Sequence, residues 1–317
     1  MTYKKKLLTR SRLNQFSVEV CIVINKISFN FIKTKMSFTG KVVIVTGASS
    51  GIGAATAVLF SKEGADVVMV GRNETKLANT ADQCKKYKAP LVIKADVTNE
   101  DEAAAVIAKT MEKFKKIDIL VNNAGIVRYG SILDGNLLHS YDEVMATNLR
   151  ALIHLTALAA PHLIKTKGNI VNISSVAATS VPKALSSAAY YISKAALNQF
   201  SRCSALELAP HGVRVNSISP GPVRTDIWEN AGTDKLVSVD DAAKMTALKR
   251  ASDSEEIADL IIYLSKIIPT NIINSKVTLS ATLSHRVDLG KEHRMVFILR
   301  EPIKRVHAGV AAGGKLV

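Results

Sequence analysis

Apolar positions along this chain recur in two rhythms. Short β-branched runs fall near 41–46, 65–70, 91–95, 117–122, 168–173 and 212–218. In the clearest, Val42-Val43-Ile44-Val45, every position is apolar, as a strand buried on both faces requires. Between these runs the spacing changes to that of helices with one apolar face, over about 54–63, 99–115, 139–165, 189–209 and 254–265. Strand and helix alternating in this way predict a single α/β domain, a doubly wound parallel sheet with helices on both faces.

Composition narrows the class. A chain of 317 residues holds one large or two small domains, and no internal repeat or low-complexity tract divides it. No apolar stretch is long enough to span a bilayer, so membrane insertion is not expected. Cys21, Cys84 and Cys203 are odd in number and scattered, which fits reduced thiols and a cytoplasmic location, and no metal-ligand spacing occurs. The formal charge of +15 is concentrated at the ends: residues 1–35 carry Lys4, Lys5, Lys6, Arg10, Arg12, Lys26, Lys33 and Lys35 against Glu19 alone. Residues 267–317 are also basic, and the middle of the chain is close to neutral. Charge confined to two tails argues against a nucleic-acid-binding face.

Two motifs carry chemistry. The first buried run leads straight into Thr46-Gly47-Ala48-Ser49-Ser50-Gly51-Ile52-Gly53 and then a helical pattern. Strand, glycine-rich turn and helix form a dinucleotide cradle. Gly47 permits the tight turn, Gly51 lets the backbone approach a pyrophosphate at the positive end of the helix, and Gly53 permits close helix–strand packing. Thr46, Gly47, Ser49, Ser50, Gly51, Ile52 and Gly53 are therefore the candidate cofactor loop. The second motif is Tyr190-Tyr191-Ile192-Ser193-Lys194, with Ser174-Ser175 upstream. A tyrosine and a lysine four apart share one helix face. A phenol with an ammonium group beside it titrates below its usual value, near 10, and becomes a usable general acid. Alone, this spacing also suits ordinary helix surface.

Taken with Asp96-Val97, Asn122-Asn123-Ala124-Gly125, Asn148 and Pro220-Gly221, these motifs in this order resemble the short-chain dehydrogenase/reductase family over about 36–266. The resemblance implies a Rossmann-type fold, a nicotinamide cofactor and hydride transfer between a carbonyl and an alcohol. It makes Tyr190 the general acid–base residue, with Tyr191 the competing candidate. Lys194 lowers the pKa of Tyr190 and binds the nicotinamide ribose. Ser175 hydrogen-bonds the substrate carbonyl oxygen, with Ser174 as the alternative, and Asn148 holds a water that passes protons to Lys194. Asp96 and Val97 meet the adenine, Asn123, Ala124 and Gly125 let the cofactor lie close to the backbone, and Pro220, Gly221, Val223 and Thr225 border the nicotinamide. Gly71 stands where NAD-preferring members carry a carboxylate, and Arg72 follows it, so NADP(H) is expected ahead of NAD(H). The stretch from Asp226 to about Arg250, with Ile227, Trp228, Leu236, Val237 and Met245, is expected to cover a moderately apolar ketone or secondary alcohol.

The resemblance is closest to 3-oxoacyl-thioester reductases and broad ketone reductases. Hydroxysteroid or isoprenoid-alcohol dehydrogenases are the alternative. Two departures stand out. Ser175 and Tyr190 are fifteen apart, longer than usual, which implies an extended loop around Val181-Pro182-Lys183. The family's last strand is also not recognisable after Lys266, which keeps open a nucleotide-binding protein without turnover. Residues 1–35 are expected to be an unstructured extension, with a mitochondrial presequence as the alternative, and 267–317 an atypical tail. The apolar residues Leu152, Leu155, Leu158, Leu197, Phe200 and Leu206 are expected to form a homodimer face, and the tetramer to be weakened.

Overall fold

The computed structural model describes residues 37–266 except 134, 182–186, 231–237, 245 and 247, together with the backbone of three strands outside that range. The six expected strands are β2 (Val42–Thr46), β3 (Asp66–Gly71), β4 (Leu91–Lys94), β5 (Ile119–Asn122), β6 (Asn169–Ile173) and β7 (Arg214–Pro220). They pair in parallel in the order β4-β3-β2-β5-β6-β7. The strand order reverses between β2 and β5, which opens a crevice at their carboxyl ends.

Alternate residues of each strand serve opposite cores. Val43, Val45, Val67, Met69, Val121 and Val171 pack under helices α1 (Gly51–Lys62), α2 (Glu74–Lys85) and α9 (Ser254–Ser265). Val42, Ile44, Val68, Val70, Leu120 and Ile170 pack under α3 (Glu100–Phe114), α5 (Ala151–Thr166) and α6 (Ala188–Leu208). This two-sided burial is why the strand runs are apolar at every position. The stretch read as one helix from 139 to 165 is broken: α4 (Leu137–Met145) passes through a π-turn, Ala146–Arg150, into α5. Two short helices, α7 (Ile227–Asn230) and α8 (Val239–Lys244), follow β7.

Three expectations need correction. The sheet does not stop at β7: β8 (Lys276–Leu279) pairs with it in parallel, β9 (Met295–Arg300) pairs antiparallel with β8, and β1 (Glu19–Ile24) antiparallel with β9. These segments lack the family's terminal motif, but Val277-Thr278-Leu279, Val296-Phe297-Ile298 and Val20-Cys21-Ile22-Val23 are β-branched and apolar enough to pair. The extension 1–35 therefore contributes a strand; its other residues lie outside those described. Third, Leu152, Leu155 and Leu197 belong to the chain's own core, because the i, i+3, i+4 stripe of a sheet-packed helix is its inner side. The outward apolar residues of α5 and α6 are Ile153, Ile192 and Leu206.

Candidate functional site

The glycine turn lies at the mouth of the crevice. Gly47 (φ +64°) and Gly51 (φ +53°) adopt backbone that side-chain-bearing residues rarely take. A Cβ on Gly53 would lie 2.1 Å from the Gly47 carbonyl oxygen, and one on Gly51 2.8 Å from the Thr225 methyl. The turn is thus packed against α1 on one side and roofed by the segment after β7 on the other. Ser50 precedes α1 without a side-chain bond to its first turn, and Ser49, Ser50, Gly51 and Ile52 are half-buried.

Thr46, expected in the cofactor loop, also joins two strands. It is fully buried, its hydroxyl donates to Val121 O (3.3 Å), and it accepts from the backbone of Asn123 (2.9 Å) and Ala124 (3.0 Å). It fastens the ends of β2 and β5. Asn123 completes the clamp by donating to Thr46 O (2.9 Å) and Gly47 O (3.3 Å).

At the far end of the crevice, Ser175 and Tyr190 meet. The Ser175 hydroxyl accepts from Ala177 N–H at 3.1 Å and lies close enough to the Tyr190 phenol to favour its ionised form. Ser174 faces away, buried, donating to Lys194 O at 3.2 Å. Tyr191 sits beside Tyr190 with ring centroids 6.3 Å apart, and the Ser180 hydroxyl near it donates to Val176 O at 3.1 Å. Lys194 is almost wholly buried; its ammonium donates to Ile173 O at 2.9 Å and lies 5.6 Å from the Tyr190 ring centre.

The expected lowering of the Tyr190 pKa by Lys194 is not what this arrangement gives. Burial pushes the phenol above its ordinary value, and the neighbouring Ser175 hydroxyl offsets this only in part. Burial also lowers Lys194, to about 8. The ammonium is turned toward the Ile173 carbonyl, so it acts weakly on the phenol.

Asn148 occupies the π-turn and is fully buried. Its Oδ1 accepts from Ile126 N–H (2.8 Å), and its Nδ2 donates to Ile126 O (2.9 Å) and Ser193 Oγ (3.1 Å). The side chain is therefore committed to the loop after β5 and to Ser193 on α6. A Cβ on Gly125 would lie 3.4 Å from Asn148 Oδ1 and 3.5 Å from Lys194 Nζ, so this glycine packs directly beside both side chains.

On the adenosine side, Arg72 is exposed and pairs with Asp96 at 3.3 Å. Burial pushes the Asp96 carboxyl up, but bonds from Thr98 and the charge of Arg72 outweigh it and hold the group below the usual range. The Val97 side chain is buried in the core. Pro220 and Val223 are buried and Gly221 half-buried; Val223 forms a backbone bridge to Ser252. One contact was not anticipated. Lys76 on α2 is ion-paired with Asp226, directly after Thr225, which ties the segment over the glycine turn to the far bank of the crevice. The partners are 150 residues apart, and no local pattern signals the pair. Of the expected lid residues, Ile227 and Trp228 are half-buried, and Leu236, Val237 and Met245 lie outside the described residues, as does most of the extended loop after Val181.

Among the described residues no cluster of potential metal ligands occurs, and no helix is long and apolar enough to cross a membrane. Residues 41–236 match the family model for short chain dehydrogenases. L-fucose dehydrogenase of Mus musculus is 33% identical over 232 residues, 72% of this chain and 83% of that protein. A short-chain dehydrogenase/reductase structure from Caenorhabditis elegans, with cofactor, superposes with a TM-score of 0.67 at 38% identity, covering 72% of this chain and 89% of that one. Glucose dehydrogenase of the same organism, in its apo form, gives 0.63 at 38% identity, covering 76% and 96%. With its crevice, glycine turn and serine–tyrosine–lysine cluster, the chain belongs to the short-chain dehydrogenase/reductase family of oxidoreductases, which use nicotinamide cofactors.

Proposed function

We propose that this protein is an NADP(H)-dependent carbonyl reductase that also oxidises the matching secondary alcohols. The observation that carries the reading is the buried Lys194 with its ammonium 5.6 Å from the Tyr190 ring centre and Ser175 beside the phenol, at the end of the crevice that begins with the glycine turn. The residues fit the cofactor: Gly47 and Gly51 take left-handed backbone in a turn at the start of a helix, where backbone N–H groups can meet a pyrophosphate. When bound, the nicotinamide supplies or accepts the hydride.

The chain's own residues handle the proton and the geometry. Ala177 N–H donates to the Ser175 oxygen, which leaves the hydroxyl proton free to be donated to a substrate. A substrate carbonyl oxygen placed between the two hydroxyls accepts a hydrogen bond from Ser175 and the proton from Tyr190 as the carbon is reduced. In oxidation Tyr190 takes that proton back. Lys194 binds the ribose hydroxyls and stands ready beneath Tyr190, with Gly125 packed beside it.

For the cofactor, Gly71 leaves the end of β3 without a carboxylate, and Arg72 is exposed there. Its pairing with Asp96 is solvent-exposed and worth little, about 0–1 kcal/mol, so a 2′-phosphate competes for it readily. The half-buried Ile227 and Trp228 favour an apolar ketone. The scattered thiols fit a reducing, cytoplasmic setting. The L-fucose and glucose dehydrogenases among the relatives support a second reading, oxidation of a sugar hydroxyl. A panel of ketones and sugars assayed with each cofactor separates them. The proposal expects ketone reduction with NADPH favoured at least tenfold over NADH; a preference for NADH, or turnover of sugars alone, would overturn it.

A further inference from the structure

We propose that Ser193 is a positioning residue: its hydroxyl ties the tyrosine end of the Tyr190–Lys194 turn, through Asn148, to the loop after β5, and so sets where the phenol stands relative to a bound nicotinamide. The inference deepens the oxidoreductase reading above and rests on it. A serine inside a helix either points to solvent or bonds back to a carbonyl one turn earlier. Ser193 is wholly buried and does the second, its Oγ donating to Tyr190 O at 2.7 Å. The same oxygen accepts from Asn148 Nδ2 at 3.1 Å. The other bonds of Asn148 go to Ile126: Oδ1 accepts from its N–H (2.8 Å), and Nδ2 donates to its carbonyl (2.9 Å). An unbroken line of hydrogen bonds therefore runs from the Ile126 backbone through the Asn148 amide and the Ser193 hydroxyl to the Tyr190 carbonyl.

Its two ends are the two sides of the reaction. Ile126 directly follows Asn123-Ala124-Gly125, the stretch proposed to lie along the cofactor, and Gly125 packs beside Lys194. Tyr190 carries the proton. The lysine end of the turn is held separately, from β6: Ser174 Oγ donates to Lys194 O at 3.2 Å and Lys194 Nζ to Ile173 O at 2.9 Å. Ser193 thus joins the tyrosine end to the cofactor side, while Ser174 joins the lysine end to the sheet. Asn148 and Ser193 are both fully buried. Removing the hydroxyl leaves an Asn148 N–H without its acceptor in the interior, which is costly. The amide must then turn, and its hold on Ile126 slackens together with the hold on Tyr190.

The test uses whichever carbonyl or alcohol the enzyme turns over. Ser193→Ala should lower kcat about tenfold, the scale of one buried donor left unpaired, with substrate KM little changed. Ser193→Thr, whose hydroxyl can make the same back-bond in a helix, should restore most of the loss. The Asn148→Ala/Ser193→Ala double variant should be no worse than the weaker single variant, because the two residues act in one line. Hydrogen exchange of the free protein gives an answer without turnover: Ser193→Ala should lose protection at 123–127 as well as at 190–194. If Ser193→Ala does not fold, Ser193→Cys replaces it, a similar side chain that donates and accepts only weakly. Near-normal kcat in the folded variant, single losses that multiply in the double, a Thr variant as impaired as Ala, or lost protection confined to α6 would each overturn the inference. Absence of turnover on any carbonyl or alcohol would count against the parent reading, and the exchange experiment would still decide whether Ser193 makes the tie.

Discussion

On Lys194 and Tyr190 burial acts in opposite senses. It disfavours the charged form of each, lowering the ammonium to about 8 and raising the phenol. At neutral pH Tyr190 is therefore held as the proton donor that reduction requires. The Lys194 shift also predicts a pH-dependent stability. Below pH 8 the lysine is protonated in both folded and unfolded chains. Between about 8 and its ordinary 10.5 the unfolded chain binds more protons, so this group adds stability as pH rises and loses it as pH falls through 8. The upper bound is about 3 kcal/mol at 1.36 kcal/mol per pKa unit. Thermal melting of wild type against Lys194→Met should show the wild type gaining relative stability from pH 8 to 10; parallel profiles would mean that the lysine is not buried as described. At this scale the sequence was legible where spacing is local. Tyr190 and Lys194 are four apart on one helix, and Ser175 was separable from Ser174 only once the strand end set which hydroxyl faces the cleft. The clamp made by Thr46 was not legible, because its partners Val121, Asn123 and Ala124 are more than seventy residues away. The Lys76–Asp226 pair was missed for the same reason.

Among the elements, the glycine turn is the most constrained. Gly53, in the first turn of α1, lies so close to Gly47 O that any side chain forces the two apart. Gly53→Ala should lower stability by about 1–3 kcal/mol, the usual cost of overpacking, and weaken cofactor binding at least tenfold as the turn widens. Fluorescence titration with NADPH and a melting curve measure both, and unchanged affinity would mean that the turn does not bind the cofactor. Strands and most helices were readable because their periods persist over whole segments. The π-turn was not, since Ala146-Thr147-Asn148 continues the helical pattern and only the bonds of Asn148 to Ile126 and Ser193 mark the break. The edge strands were missed because they lack the expected motif and rely on partners distant in sequence, β8 on β7 and β1 on β9.

For the whole molecule, two of these features bear on assembly. The sheet edge beyond β7 is occupied by β8, β9 and β1, so a subunit contact built on an open β8 edge is blocked. The outward faces of α5 and α6 retain Ile153, Ile192 and Leu206. The expected species is a dimer through these helices, and light scattering should find a dimer that Leu206→Lys shifts toward monomer. A tetramer, or a dimer indifferent to this change, would contradict the assignment.

The central claim is that Tyr190, aligned by Ser175, moves the proton in a nicotinamide-dependent carbonyl reduction. It is tested most directly by comparing Tyr190→Phe and Tyr191→Phe for NADPH-dependent turnover of a ketone that the wild type reduces. Tyr190→Phe should lose roughly two to four orders of magnitude in kcat, the scale of a general acid, while still binding NADPH, and Tyr191→Phe should retain most of its activity. Near-normal turnover by Tyr190→Phe together with an inactive Tyr191→Phe would contradict the account.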